Sequence, residues 1–134
     1  MRPIIAAVAA LSLGQLSAQE LMTAEQLLRN AQNNDMATAA LLYVAGWRDG
    51  TSAQLLSTAD SLRETGADID QHADHEEGLG RCLGGLQATD LIRHLASVAS
   101  AGEFDTAQSF ARAALLDSAK ELCRDAITEA LGED

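Results

Sequence analysis

Proline, aromatic residues and basic residues are all scarce in this sequence. Of its 134 residues one is proline, Pro3, and only four are aromatic, one Trp, one Tyr and two Phe. With no proline after Pro3, nothing of that kind interrupts a helix, and the 26 alanines favour one. Few aromatic side chains in an Ala-rich body argue against a β-sandwich or barrel. Nine Lys and Arg stand against 20 Asp and Glu, a formal net charge of −11. The bases are scattered and could not neutralise a run of phosphates, so nucleic acid is not the expected partner. A basic protein suits this charge better. After the N-terminus, charges interrupt every apolar run well short of the roughly 20 residues that span a bilayer. Hydrophobic residues nonetheless reach 47%, enough for one core in one domain and too many for a disordered chain.

The first 18 residues differ from the rest. Met1 and Arg2 form a short basic start, Ile4 to Leu16 is mostly apolar, and Leu16-Ser17-Ala18 ends on a small residue before Gln19-Glu20. This is the pattern of a secretory signal peptide, cleaved near Ala18. The competing reading is a buried N-terminal helix. Export leaves residues 19–134 as a single domain, expected not to be held in the membrane after cleavage. Losing Arg2 makes the formal charge one unit more negative than −11.

Export also decides how the two cysteines read. In an oxidising compartment Cys82 and Cys123 are expected to form a disulfide, ahead of a metal site or a catalytic thiol. Closing that loop adds about 4 kcal/mol of stability in the chain-entropy model.

Along the mature chain the apolar spacing is helical throughout. Thr23 and Gln26 fit a capping box ahead of Leu27, Leu28 and Ala31. Asp35 is placed to cap a second helix from Met36 to about Asp49, carrying Ala40, Leu41, Val44 and Trp47. Gly50 is an expected end or kink, with a restart at Thr51 or Ser52 and a stripe of Leu55, Leu56, Ala59 and Leu62 up to Gly66. Residues 67–87 hold four glycines and a dense acidic run, and read as a loop with one helical turn at most. Thr89 is expected to cap a helix with Leu91, Ile92, Leu95 and Val98 inward. After a break at Ala101-Gly102, a last helix is expected from about Asp105 to Leu131, with Ala111, Leu115, Ala119, Leu122 and Ala126 on one face. The expected fold class is all-α, a small four- or five-helix bundle whose disulfide ties the start of the Thr89 helix to the last helix.

Thr23-Ala24-Glu25-Gln26-Leu27-Leu28, then Leu42-Tyr43-Val44-Ala45-Gly46-Trp47-Arg48-Asp49-Gly50, resembles the opening of the Rap/Tai immunity proteins of type VI secretion. The family carries a Tyr-x-x-Gly-x-x-Asp pattern, here Tyr43, Gly46 and Asp49, and places one Cys before a Thr-led helix and another in the last helix. Cys82 and Cys123 stand in those places, so the resemblance spans most of residues 21–123. The chain departs from the family in lacking a second cysteine pair near Asn30 and Ala39, and in its acidic stretch 67–81 and its tail. The resemblance implies a periplasmic immunity protein, often a homodimer, that binds and occludes a peptidoglycan-cleaving amidase effector. Such an inhibitor needs a rigid complementary surface and no catalytic group.

Tyr43, Gly46 and Trp47 fall on one strip of a helix. They read either as a docking face or, preferred here, as close helix packing in which Gly46 permits near approach. Asp49 reads as a hydrogen-bonder at a helix end. The acidic run Asp68, Asp70, Asp74, Glu76 and Glu77 is the candidate partner-binding segment. His72 and His75 with Asp74 or Glu76 could hold zinc on one turn, but a solvated acidic segment is the preferred reading, and no metal or cofactor is expected. An EF-hand fails, because Ala73 and Leu79 occupy its Gly and Glu positions. His94 is expected at a helix surface, too isolated to serve a cysteine nucleophile. No catalytic motif is present, and the chain is expected not to be an enzyme. The alternative function is a periplasmic acidic helical adaptor or metal-binding module with no inhibitory role.

Overall fold

The structure is a computed structural model, and residues 22–66 and 71–132 are described. The chain is all-α, with six helices among these residues: α1 Ala24–Gln32, α2 Ala37–Thr65, α3 His72–Gly85, α4 Ala88–Ser100, α5 Ala111–Leu122 and α6 Arg124–Ala130. The leader expected over residues 1–18 lies outside the described residues.

α1 starts as its sequence predicts. The Gln26 amide donates to the Thr23 hydroxyl at 3.1 Å, and the Thr23 amide donates to the Gln26 side chain at 3.0 Å. The same end is clamped from outside, for Thr23 forms an isolated antiparallel bridge with Phe110. There Ala111 donates to the Met22 carbonyl at 2.8 Å and Ala24 donates to the Ser109 carbonyl at 2.9 Å.

α2 corrects the expectation of two helices. It runs unbroken for 29 residues through Gly46 and Gly50 and stops at Gly66, whose φ of +67° is the left-handed cap that glycine favours. A helical glycine costs only about 1 kcal/mol relative to alanine, and burial of Val44, Ser52 and Ala59 on either side of Gly46 and Gly50 outweighs it. Asp35 does not cap α2. The cap residue is Met36, with no side-chain bond, while the Asp35 amide donates to the Asn33 side chain. Thr51 and Ser52 lie inside the helix.

α3 is the larger correction, since most of the segment read as a loop forms a helix of 14 residues. Three of its four glycines are contact points. A Cβ on Gly78 would stand 2.7 Å from Ala130 Cβ of α6, one on Gly80 3.1 Å from Leu55 Cβ, and one on Gly84 2.8 Å from Ser52 Oγ. Glycine here lets α3 lie close against the second half of α2 on one side and against α6 on the other. Asp74 in the first turn favours the positive end of the helix dipole, and Ala73, Leu79 and Leu83 face the interior.

α4 is capped by Gln87 and not by Thr89, which sits within its first turn. The expected single last helix is two. Residues 106–108 form a turn, in which the Asp105 side chain accepts from Ala107 at 3.0 Å and its carbonyl accepts the Ser109 amide, also at 3.0 Å. A second interruption falls at Cys123, which separates α5 from α6.

The core gathers Leu27, Val44, Leu83, Leu91, Leu95 and Leu115 from the first five helices, with alanines between them. Tyr43, Trp47 and Phe104 pack at its margin. Among the described residues no helix is long and apolar enough to cross a membrane.

Candidate functional site

Cys82 and Cys123 are joined, with Cα atoms 5.8 Å apart, and no cysteine is free. The bond ties the second half of α3, and not the expected start of the Thr89 helix, to the α5–α6 junction. Cys123 is buried. With both sulfurs in the bond, neither thiol is available as a nucleophile.

The disulfide holds α3, whose first two turns carry the acidic candidates. Arg63 of α2 donates to Asp74 and to Glu77, each at 2.8 Å, and Arg81 donates to Glu77 at 2.8 Å. Those bonds, from Arg63 first and Arg81 second, hold the Glu77 carboxyl below its ordinary value of 4.5. The same pairing, with Asp74 and then Glu77, raises the Arg63 guanidinium above its ordinary value. Glu76 turns elsewhere, with His72 Nε2 at 3.7 Å and His75 Nδ1 at 3.5 Å. These contacts become ion pairs when the imidazoles are protonated. Asp68 and Asp70 lie outside the described residues. The acidic candidates on α3 are therefore split. Asp74 and Glu77 are partly neutralised by α2, and Glu76 is flanked by histidines. Among the described residues no three His, Cys, Asp or Glu side chains form a group that could hold a metal ion.

The motif Tyr43, Gly46, Asp49 divides between two sides of α2. Tyr43 and Trp47 pack half-buried against the core. The Tyr43 hydroxyl is buried without a hydrogen-bond partner. Burial pushes this phenol above its ordinary value, opposed by the positive charge of Arg112. Gly46 faces outward, and a Cβ there would meet nothing within 4 Å, so the expected role in close packing fails. Asp49 is not at a helix end either. It sits exposed in mid-helix and pairs with Arg48 Nε at 2.9 Å. Arg48 in turn donates through Nη1 to the Leu86 carbonyl at 2.9 Å, fastening α2 to the α3–α4 turn.

A second locus was not expected from the sequence. A cavity of about 330 Å³ opens between α4, α5 and the turns that join them. Its lining includes His94 of α4, Asp117, Ser118 and Glu121 of α5, and Glu103 and Phe104 of the segment between them. His94 is half-buried, with Nδ1 enclosed and unpartnered, which corrects its expected surface position. The Ser118 hydroxyl is likewise unpartnered, on a residue only 2% exposed. The sequence carried one faint signal. Asp117 and Glu121 recur at a spacing of four on the side of α5 away from Ala111 and Leu115, but acidic residues are too common in this chain for that to stand out. Comparison with protein-family models, with curated proteins and with solved structures finds no match.

Proposed function

We propose that the chain is an exported immunity-type inhibitor that binds and occludes a peptidoglycan-cleaving amidase effector of type VI secretion, as its resemblance to the Rap/Tai proteins implies. The observation that supports this reading most is the acidic start of α3 on a scaffold closed by the Cys82–Cys123 bond. A charged face on a rigid support complements a basic enzyme surface and steers its approach. The reading assigns the protein no catalytic step. It inhibits by covering a cleft, in the periplasm, after loss of its leader. A homodimer belongs to the same resemblance, and Leu42, 68% exposed on α2, is apolar surface that such an interface would cover.

The test is binding and inhibition. The purified protein is mixed with the cell-wall amidase encoded beside it, and peptidoglycan cleavage is measured. Inhibition at near-stoichiometric ratio is expected, weakened by the change of Glu76 to Lys and by rising salt. Failure to bind that enzyme would leave the adaptor reading, in which an acidic helical module serves a different partner. Calorimetry with zinc would test the metal-binding form of that alternative through His72 and His75.

A further inference from the structure

We propose that the Cys82–Cys123 bond is a redox latch on α6. With the bond closed, α6 is docked against α3. With the bond open, α6 releases while the bundle of α1 to α5 stays folded. The inference concerns the chain's own conformation and stands independently of the inhibitor reading.

α6 has little of its own to hold it. It is seven residues long, Arg124–Ala130, and none of them is buried. A helix that short is not stable in water without tertiary support. The core draws its members from α1 to α5 and none from α6. Among the described residues the hydrogen bonds of α6 are local. Ile127 donates to the Cys123 carbonyl at 2.9 Å, Leu131 to the Ile127 carbonyl at 3.0 Å, and the Thr128 hydroxyl to the Arg124 carbonyl at 3.0 Å. The ion pair of Arg124 reaches only Glu121, three residues back, and is exposed.

Two supports reach α6 from outside. One is its close approach to Gly78 of α3, where a Cβ would stand 2.7 Å from Ala130 Cβ and 3.6 Å from Ile127 Cα. Glycine offers no side chain to that contact, so little apolar area is buried through it. The other support is the disulfide, which fixes Cys123, the residue on which α6 begins. α3 does not depend on the bond in the same way. The Ser52 hydroxyl and Arg63 fasten it to α2 through Gly80, Asp74 and Glu77.

A disulfide stabilises chiefly by constraining the unfolded chain, which by itself shifts nothing in the native structure. At α6 the bond also acts in the folded state, because it anchors a helix that lacks other anchors. Opening proceeds by thiol–disulfide exchange. A dithiol reductant gives up two electrons and two protons and becomes a disulfide, the Cys82–Cys123 bond breaks, and both cysteines end as thiols. A disulfide-bearing oxidant reverses the step. A reducing compartment therefore holds α6 released, and an oxidising one holds it docked.

Hydrogen exchange read by mass spectrometry tests this on the full chain. It is measured oxidised, reduced with dithiothreitol without denaturant, and reoxidised with oxidised glutathione. Reduction should speed exchange over Arg124–Leu131 by about tenfold or more and leave α1, α2 and α4 within about twofold, as local opening does. Reoxidation should restore protection. Cys82→Ser with Cys123→Ser should reproduce the reduced pattern, and decides the matter if the native bond resists the reductant. A staple acting only on the unfolded chain would lower the melting temperature and leave the native exchange pattern as it was. Unchanged exchange over Arg124–Leu131 with the bond open, an increase spread evenly over all helices, or unfolding of the whole chain would overturn the proposal.

Discussion

The hydroxyl of Ser52, buried in mid-α2, donates to the backbone carbonyl of Gly80 in α3 at 2.6 Å. One turn further along α3, Gly84 leaves the space that the same hydroxyl occupies, since a Cβ there would come within 2.8 Å of it. A serine and two glycines thus set how closely the two helices approach. The glycines that make this segment look like a loop are what allow it to be a packed helix.

Gly84 of α3 and Gly50 of α2 should therefore respond oppositely to substitution. Gly84→Ala forces Ser52 away from Gly80 and should destabilise the fold by about 1–3 kcal/mol through overpacking. Gly50→Ala adds a methyl where nothing lies within 4 Å and should stabilise by up to about 1 kcal/mol. Denaturant melts of both variants measure this, and equal responses would contradict the packing account.

The disulfide links residues 41 apart in sequence. In the chain-entropy model, opening it by changing Cys82 and Cys123 to Ser should cost about 4 kcal/mol. Thiol counting on denatured, unreduced protein should find no free thiol. Two free thiols there would remove the bond and weaken the argument for export.

Stability should fall in acid partly through one carboxylate. Glu77 is held below its ordinary 4.5 by Arg63 and Arg81. Its contribution is complete above that unfolded value and is lost as pH falls through the folded one. The melting temperature of the wild type should exceed that of Glu77→Gln at neutral pH, and the gap should narrow as pH falls below the ordinary 4.5. A gap unchanged over that range would rule out the ionic contribution.

Tyr43 should tolerate loss of its hydroxyl. The group is buried without a partner, so Tyr43→Phe should leave stability unchanged or raise it by up to about 1 kcal/mol. Burial raises the phenol above its ordinary 10.0. The wild type should therefore lose stability as pH climbs through that unfolded value toward the folded one, and the Phe variant should lack this loss. A clear drop in the variant at neutral pH would show that the hydroxyl makes a bond after all.

Helical class, the capping box at Thr23, the inward stripe of α4 and the burial of Ala111, Leu115 and Ala119 in α5 were legible because a period near 3.6 and a cap are local properties, although Leu122 of the same expected face is exposed. Helix boundaries were less so. Gly50 read as an end or kink, yet a cost of about 1 kcal/mol per glycine is overruled once the flanking residues pack. Thr89 and Asp35 had the right chemistry for caps, but Gln87 and Met36 took those positions.

By itself the sequence determined an all-helical, acidic chain with two cysteines suited to one bond. Composition and local periodicity suffice for that. Only the tertiary structure decided that α3 is a helix, that Gly46 faces outward while Tyr43 packs against the core, and that His94 and Ser118 line one cavity. Each of these depends on what a distant segment places beside the residue, and no local pattern encodes that neighbour. The few aromatic residues and the abundant alanines bear on both. They made the helices legible, and their small side chains let those helices approach closely enough for glycine, serine and two unpartnered polar atoms to matter.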